Sequence, residues 1–448
     1  MRQPNSKILR RACQVACALA AMGAGMLVSS CNSGHTFSYA YVTSSPTTGV
    51  ASVFTYNVNS SSGVFSPTND AQFPAQVPGA VAAVVTPDGA NLYVLYGATT
   101  IPQTGLPANN GQHSIVHYGI RPDDGDITAL DTSETGGTEP VGLAIDPSGN
   151  YLYAIDTYQP GFSNGSPGPG DVTIFQLVNG VPSVPASCPL PGLVTAEGNG
   201  CYYPVGFGPR GVTATPSATS PTYVYVANSG NTATPVSGTC YGTVSGFSLG
   251  ADGTLTALNL DATAESCVGG GAPYPSNSLP LGENPWGIAA AVVSGNPSPY
   301  LYVTDYGAGV VYTVTTSAGI PQLAQNQTQF PFSTTGGEPE NVLAGPQAGA
   351  LFVSNFQQNT VTSFAIGSTG QLSGGVNNVT GAGPTCMAID PSGMYFYVTN
   401  YLNGNVSGFA LVDTATGQLA PLEREPFIVG SANTSNPTCV AIAPKPGS

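Results

Sequence analysis

A short phrase centred on Tyr-Val recurs seven times along the 448-residue chain. In its fullest form it reads YFYVTN and then NVSGFAL, with a Pro-led apolar segment before it and a Gly-containing turn after it. Self-similar segments at a regular spacing are the signature of repeat architectures, so this feature constrains the fold more than any other. The seven copies are centred on Tyr41, Tyr93, Tyr153, Tyr225, Tyr302, Phe352 and Tyr397.

The two ends of the chain carry incomplete copies of the repeat. The copy around Tyr41 has no Pro-led strand before it, and the last Pro-led strand, at 436–444, has no Tyr-Val strand after it. One orphan at each end predicts a closed ring, in which the C-terminal strand completes the N-terminal blade and removes the exposed sheet edge. We therefore predict an all-β fold, a seven-bladed β-propeller of four-stranded antiparallel blades over residues 37–448.

The first thirty residues predict a bacterial lipoprotein signal peptide. A basic segment precedes an apolar run at 12–28, and the sequence LVSSC that follows resembles a lipobox. This resemblance implies cleavage before Cys31, lipidation of that cysteine and a short linker over 31–36. We expect an exported protein anchored in the cell envelope, and Asn32 favours the outer membrane in a Gram-negative cell. An ordinary signal peptide with a coincidental cysteine is the alternative.

The charge balance excludes whole classes of partner. Removing residues 1–30 leaves 4 basic and 23 acidic residues, a net charge of −19. Such a field repels nucleic acid and anionic headgroups, so we expect no nucleic-acid partner and contact with the membrane through the lipid alone. We expect a monomer whose partner is a small molecule or a glycan.

The repeat resembles a known family. Tyr397-Val398-Thr399-Asn400, together with VSGFAL, TGQLAPL and AIDPSG, is similar to the Tyr-Val-Thr-Asn repeat propellers and most closely to the lactonase-like family that includes 6-phosphogluconolactonase. The resemblance implies a seven-bladed propeller and raises the expectation of lactone hydrolysis. Lactonases of this family carry a Pro-Arg-His-like channel motif, which is here Pro209-Arg210-Gly211. The histidine is therefore missing, and we expect none of the three histidines, His35, His113 and His117, to reach the channel.

The long insertions all fall on one face of the predicted ring. They occupy 96–112, 157–170 and 229–241, with long connections at 182–203 and 261–284. Insertions gathered on one face mark a binding face, although unconstrained drift of surface loops is the alternative. Four carboxylates lie on this face: Glu139, Glu283, Glu338 and Glu340. They could bind Ca²⁺ or sugar hydroxyls, or be solvated loop charges, so we predict no firm metal site or cofactor.

The residue after each leading proline is expected at the mouth of the central channel. In three consecutive blades this residue is Arg210, Trp286 and Glu340. Arg210 could hold a carboxylate or an oxyanion, Glu340 could be a general base, and the indole could stack on a sugar. An Arg210–Glu340 ion pair capping a packed channel is the alternative. Tyr306, Phe356 and Tyr401 share one later position and could extend a stacking platform.

Six cysteines follow Cys31, and an exported protein can oxidise them. Four lie in loops of the insertion-rich face and predict two disulfides. Of the three possible connectivities, the local one pairs Cys188 with Cys201 and Cys240 with Cys267. Cys386 and Cys439 occupy the same slot in adjacent blades, so their side chains should point the same way around the ring. We predict that these two are buried free thiols.

Two functions fit these residues. The first is binding of a neutral or cationic ligand, such as a carbohydrate, on the acidic, insertion-rich face. The second is lactone hydrolysis at the channel mouth by Arg210 and Glu340 without the family histidine. An open channel around these two residues would favour the enzyme, and a plugged one would exclude it.

Overall fold

The computed structural model describes residues 36–45, 52–74, 79–97, 114–163, 165–188, 201–216, 221–230, 242–258, 278–296, 298–322, 332–333, 337–430 and 435–445. These residues form β-strands, turns and a short 3₁₀ segment, Pro346–Ala348. No helix among them has the length and apolar character needed to cross a membrane.

The strands are numbered in chain order. They are β1 (Thr36–Ser44), β2 (Ser52–Asn59), β3 (Phe65–Pro74), β4 (Ala80–Val85), β5 (Asn91–Tyr96), β6 (Ser114–Ile120), β7 (Ile127–Glu134), β8 (Thr138–Ile145), β9 (Tyr151–Tyr158), β10 (Asp171–Val178), β11 (Val181–Ser183), β12 (Cys201–Pro204), β13 (Pro209–Ala214), β14 (Tyr223–Asn228), β15 (Thr243–Leu249), β16 (Leu255–Ala257), β17 (Ser278–Pro280), β18 (Pro285–Ala291), β19 (Tyr300–Asp305), β20 (Val310–Ser317), β21 (Ile320–Gln322), β22 (Phe332–Ser333), β23 (Pro339–Ala344), β24 (Ala350–Asn355), β25 (Thr360–Ile366), β26 (Leu372–Val379), β27 (Pro384–Ile389), β28 (Tyr395–Asn400), β29 (Asn405–Asp413), β30 (Gln418–Pro421), β31 (Phe427–Ile428) and β32 (Pro437–Pro444).

These strands form seven antiparallel sheets, which are the predicted blades. In the order from the axis outwards, blade 1 is β32, β1, β2 and β3, blade 2 is β4–β7, and blade 6 is β23–β26. Blades 3, 4, 5 and 7 are β8–β12, β13–β17, β18–β22 and β27–β31, and each has its outermost strand split into two short segments. The prediction of an all-β, seven-bladed propeller with four-stranded blades is confirmed.

The ring closes through the C-terminal strand, as predicted. β32 pairs antiparallel with β1, and Tyr41 lies opposite Ala441 in this register. The strand farthest along the sequence is thus the innermost strand of blade 1. This pairing satisfies the backbone groups that β1 would otherwise expose at an open sheet edge.

In five of the seven blades the repeated tyrosine joins its blade to the next. Its hydroxyl donates a hydrogen bond to the carbonyl oxygen of the turn glycine in the following blade, and the last bond joins blade 7 to blade 1. These bonds are Tyr41 to Gly125 (2.9 Å), Tyr93 to Gly180 (2.6 Å), Tyr225 to Gly319 (2.6 Å), Tyr302 to Gly370 (2.9 Å) and Tyr397 to Gly63 (2.7 Å). The tyrosine and the turn glycine recur together because each is the partner of the other.

Tyr225→Phe is expected to lower the free energy of unfolding by about 1–2 kcal/mol, because it leaves the buried Gly319 carbonyl without its donor. Tyr153→Phe is the matched control. The Tyr153 hydroxyl is buried and has no hydrogen-bond partner among the described residues, so its removal should cost nothing or stabilise the protein. Denaturant unfolding of both variants measures the difference. An equal loss in the two would contradict this account of the repeat.

Two disulfides lie in the described part of the chain. Cys188 and Cys201 are joined, with their Cα atoms 5.8 Å apart, in the local pairing predicted from the sequence. This bond ties the start of the long connection after β11 to the first residue of β12. The other predicted pair, Cys240 and Cys267, lies outside the described residues.

The prediction that Cys386 and Cys439 are free thiols is wrong, because the structure joins them in a disulfide. Their Cα atoms, on the innermost strands β27 and β32, are only 4.8 Å apart. The innermost strands converge near the axis, so equivalent slots lie within disulfide reach even though they are related by the rotation of the ring. In blades 4 and 5 this slot holds Gly211 and Gly287, where an added Cβ would lie 2.6 and 2.7 Å from a carbonyl oxygen of the next innermost strand.

Candidate functional site

The innermost strands of all seven blades surround a cavity of about 440 Å³ on the axis of the ring. Its wall is mostly Gly, Ala, Val and Leu. Among the described residues that line it, only Arg210 and Glu340 are charged. The described residues therefore leave the channel open around the two residues that the sequence analysis proposed as catalytic, and none of these described residues plugs it there.

A local irregularity of the innermost strands places these side chains in the wall. The pairing of β13 with β14 shifts register between Pro209 and Gly211, and that of β23 with β24 shifts between Pro339 and Val342. Such a bulge leaves one or more residues unpaired and redirects their side chains. Trp286 lies in the equivalent irregularity of blade 5 and also lines the cavity.

The Arg210 guanidinium has an aromatic partner and no anionic one. Its central carbon lies 4.5 Å from the centroid of the Trp286 ring. Its Nε is buried without a hydrogen-bond partner, and it forms no salt bridge with any described residue. Burial lowers the pKa of Arg210, and the nearby Tyr158, Glu139 and Glu340 oppose this effect. The Arg210–Glu340 ion pair considered as the alternative is thus not formed.

The carboxyl of Glu340 has a pKa near neutral pH. Burial raises the pKa of its carboxyl from 4.5 to about 7. The Arg210 charge lowers the pKa and the Glu338 charge raises it, and both effects are smaller than that of burial. A carboxyl with a pKa near the working pH can accept and return a proton within one catalytic cycle.

A line of contacts continues from Trp286 away from Arg210. The Tyr306 ring stacks on the indole with their centroids 4.9 Å apart, and the Tyr306 hydroxyl donates a 2.8 Å hydrogen bond to Glu338 Oε2. Burial, that bond and the nearby carboxylates raise the pKa of Tyr306 to about 12. Tyr306 therefore contacts both Trp286 and Glu338, and all three were predicted as separate ligand-binding residues.

Phe356 and Tyr401 occupy the position of Tyr306 in blades 6 and 7. The backbone amide of each residue donates to the residue before a leading proline, as Phe356 does to Glu338 and Tyr401 to Gly383. The Phe356 ring lies against Gly383, where an added Cβ would be 3.1 Å from it. Like Tyr306, neither residue is part of the cavity wall, and the stacking platform stays a prediction.

The four mouth carboxylates are not gathered into one cluster. Glu139 lies close enough to Arg210 to raise the pKa of the guanidinium, whereas the Glu283 carboxylate lies beside Gly307. Among the described residues no three acidic, histidine or cysteine side chains come close enough to hold a metal ion. The predicted Ca²⁺ alternative thus gains no support from the placement of these residues.

The missing histidine of the channel motif has a steric explanation. A Cβ added to Gly211 would lie 2.6 Å from the Trp286 carbonyl oxygen, so this position cannot hold a side chain without movement of blade 5. His117 is buried on β6, hydrogen-bonded to Asp131 and Asn91, and does not line the cavity. His35 and His113 lie outside the described residues, as do Cys31 and most of the insertions, at 98–113, 189–200, 231–241 and 259–277.

Two features near the site were missed by the sequence analysis. Asn341 lines the cavity next to Glu340, and Tyr158 lies close enough to act on the charge of Arg210. The position of Asn341, two residues after the leading proline, could have revealed it, since it shares the Gly211 slot of the repeat. Nothing in the sequence around Tyr158 indicated that its ring would approach blade 4.

Two neighbouring carboxyls outside the cavity, Asp156 and Asp171, are fully buried in blade 3. Asp156 accepts hydrogen bonds from the Thr135 hydroxyl (2.8 Å) and the Gly137 amide (3.2 Å). Burial raises the pKa of Asp156 to about 6, and burial together with the Asp156 charge raises that of Asp171 well above its usual range. Asp156 ends its copy of the repeat phrase at the position where Asn228, Asn355 and Asn400 end other copies. This change from Asn to Asp was the signal in the sequence for the buried carboxyls.

Asp171→Asn is expected to stabilise the protein at pH 8 by on the order of 2 kcal/mol, and by little at pH 4. Because folding raises both pKa values, the contribution of this pair to stability is most favourable below the unfolded pKa of 3.8 and is lost as the pH rises through about 6. The amide removes one of the two charges and flattens this dependence. Thermal unfolding at several pH values measures it. A variant whose melting temperature falls in parallel with the wild type would contradict the prediction.

Comparison with known proteins supports this architecture. The family model of the lactonases, described as a 7-bladed β-propeller, matches residues 35–158 and 311–442. A comparison with curated proteins gave no match.

Solved structures of similar shape include two candidate 6-phosphogluconolactonases from Bacteroides. The protein from B. fragilis has 16% identity and a TM-score of 0.60, covering 93% of this chain and 99% of its own. The protein from B. uniformis has 15% identity and a TM-score of 0.60, covering 91% and 100%. The periplasmic gluconolactonase of Pseudomonas aeruginosa has 15% identity and a TM-score of 0.60, covering 92% and 100%. At these identities the likeness shows the fold alone, whereas the family model covers more than half of the sequence. The chain therefore belongs to the lactonase family of seven-bladed β-propellers.

Proposed function

We propose that the protein hydrolyses a lactone at the mouth of its central cavity. The observation that carries this proposal is that the wall of one open cavity holds both a guanidinium without a salt bridge to any described residue, Arg210, and a carboxyl of pKa about 7, Glu340. Ester hydrolysis needs a base for the attacking water and a positive group for the developing oxyanion. These are the two charged residues of the described wall.

The chemistry assigns one role to each residue. Ionised Glu340 takes a proton from water as the water oxygen bonds to the lactone carbonyl carbon. Arg210 stabilises the negative charge that develops on the carbonyl oxygen, and its burial strengthens this interaction. When the ring C–O bond breaks, protonated Glu340 returns its proton to the leaving alkoxide. The product is a hydroxy acid, which ionises on release.

The charges of the mouth favour an unphosphorylated lactone. Arg210 is the one basic residue of the described cavity wall. Glu139 and Glu340 lie close enough to raise the pKa of Arg210, and Glu338 lies close enough to raise the pKa of Glu340, so acidic groups outnumber the basic one at the mouth. A phosphate dianion would meet net repulsion here. A neutral sugar lactone would meet none.

The test is hydrolysis of a lactone panel by the purified full-length chain, measured against spontaneous hydrolysis. The panel contains plain sugar lactones, their 6-phosphorylated forms and simple aliphatic lactones. We expect plain lactones to be turned over with kcat/KM at least about tenfold above the phosphorylated ones, because one unfavourable charge contact of about 1.4 kcal/mol suffices for that ratio. No turnover of any member would overturn the proposal.

Binding without catalysis is the second candidate. The acidity of the mouth and the rings of Trp286 and Tyr306 favour a neutral or cationic ligand, such as a carbohydrate. A protein that binds sugars in a glycan screen and hydrolyses no lactone would support this function.

The same proposal extends to cellular location. The signal sequence and Cys31 support an exported lipoprotein, anchored in the cell envelope by its lipid. Labelling with a radioactive fatty acid in a bacterial host should mark the wild-type protein and not Cys31→Ala. Equal labelling of both would contradict the anchor.

A further inference from the structure

Four side chains from three consecutive blades form one line of contacts at the cavity mouth. Arg210 of blade 4 lies 4.5 Å from the ring of Trp286 in blade 5. Tyr306, also in blade 5, stacks on the same indole at 4.9 Å with an angle of 30° between the ring planes. Its hydroxyl donates to Glu338, which precedes the innermost strand of blade 6.

Within this line, the contact with Trp286 is the one that orients the Arg210 side chain. The guanidinium makes no hydrogen bond or salt bridge to any described residue, and its Nε is buried without a partner. A long, flexible side chain in that state is oriented by the surface on which its flat face rests. That surface is the indole of Trp286.

Glu338 adopts a backbone conformation that side chains rarely take. Its φ is 56°, in the left-handed region. The residue before the innermost strand also has a positive φ in five other blades, where it is Gly79 (φ 85°), Glu139 (φ 58°), Gly208 (φ 60°), Gly383 (φ 67°) and Asn436 (φ 39°). Glycine adopts this conformation freely, whereas a glutamate is strained in it. Among the three non-glycine residues that adopt it, Glu338 is the one whose carboxylate accepts the Tyr306 hydrogen bond, a role that glycine could not supply.

We propose that Tyr306 and Glu338 are positioning residues, which hold the Trp286 indole and through it fix the Arg210 guanidinium towards the cavity. Neither residue touches the reacting atoms. The expected effect on turnover rests on the proposed lactone hydrolysis, whereas the positioning itself is tested by measurements that need no turnover.

The chain provides two direct reporters. Trp286 is its only tryptophan, so the emission and acrylamide quenching of the full-length protein report on this indole alone. The six arginines give few side-chain Nε–H resonances, and Arg210→Lys identifies the one that belongs to Arg210. Stacking on the indole should shift this resonance upfield through the ring current.

Three substitutions separate the contacts. Tyr306→Leu removes both the stack and the hydrogen bond, Glu338→Gly removes the acceptor and relieves the strain, and Glu338→Gln retains an oxygen acceptor. Tyr151→Leu is the control, since this tyrosine lies at the start of β9, away from the cavity wall.

In Tyr306→Leu we expect emission at longer wavelength, stronger quenching and loss of the upfield shift of Arg210. The value of kcat/KM for a plain lactone should fall about tenfold, the scale of one lost cation–π contact. Glu338→Gly should move both signals in the same direction without lowering the melting temperature. Glu338→Gln should leave the two spectroscopic signals close to those of the wild type, and Tyr151→Leu should leave both the signals and kcat/KM close to the wild type.

Unchanged Arg210 and Trp286 signals in Tyr306→Leu and Glu338→Gly would overturn the proposal. If Tyr306→Leu fails to fold, Glu338→Gly and Tyr306→Phe carry the test, since Tyr306→Phe deletes the hydroxyl and retains the ring. If the wild type hydrolyses no lactone, the proposed function fails, and the two spectroscopic signals still decide whether Tyr306 and Glu338 position Arg210.

Discussion

Glu340→Gln is expected to lower kcat/KM for a plain lactone by about 10²–10⁴-fold, the usual contribution of a general base. The amide has nearly the size of the carboxyl and retains its hydrogen-bonding capacity, but it cannot accept a proton from water. Glu423→Gln is the matched control, because this exposed carboxyl lies outside the cavity wall. Equal turnover in wild type and Glu340→Gln would remove Glu340 from the mechanism.

The pH dependence gives a second signature of the same residue. The pKa of Glu340 is about 7, and the base must be ionised to act. The enzymatic rate, after subtraction of spontaneous hydrolysis, should therefore fall as the pH drops through about 7. Glu340→Gln should lack this inflection. Because burial disfavours the charged carboxyl, the variant should also melt at a higher temperature than the wild type at pH 8, as expected where function opposes stability.

Replacing both Cys386 and Cys439 with alanine is expected to lower the free energy of unfolding by about 4 kcal/mol. The two cysteines are separated by 53 residues, and a disulfide across a segment of this length strongly restricts the unfolded chain. The bond also joins the innermost strand of blade 7 to β32, the strand that closes the ring. Alanine suits this slot, which already holds a Cβ in the wild type and is occupied by Ala82 in blade 2.

Denaturant unfolding with and without reductant measures this contribution. Reductant should lower the free energy of unfolding of the wild type. It should lower that of the double variant by less, because the Cys386–Cys439 bond is already absent there. Cys188→Ala with Cys201→Ala is the comparison, because those residues are separated by 13 positions and their bond should contribute about 3 kcal/mol. A wild type that unfolds identically with and without reductant would show that neither disulfide stabilises the ring.

The sequence by itself determined the fold and the location of the site. Seven copies of one phrase, with an orphan strand at each end, specify seven blades and a ring closed by the C-terminal strand. The position after the leading proline identified Arg210, Trp286 and Glu340, and the structure places all three in the cavity wall. These features are readable because a strand alternates its side chains locally, so the position in the repeat indicates the direction of the side chain.

Only the tertiary structure decided how residues of different blades meet. The tyrosine-to-glycine bonds, the Cys386–Cys439 disulfide and the contacts of Trp286 with Arg210 and Tyr306 all join parts of the ring that the repeat treats separately. The reasoning that made Cys386 and Cys439 free thiols considered the direction of equivalent slots and not the 4.8 Å between them. Distances near the axis, and the burial that raises the pKa of Glu340, depend on the convergence of seven strands at once. A repeat specifies what each strand presents, whereas the spacing and desolvation of those groups arise only when the ring is closed.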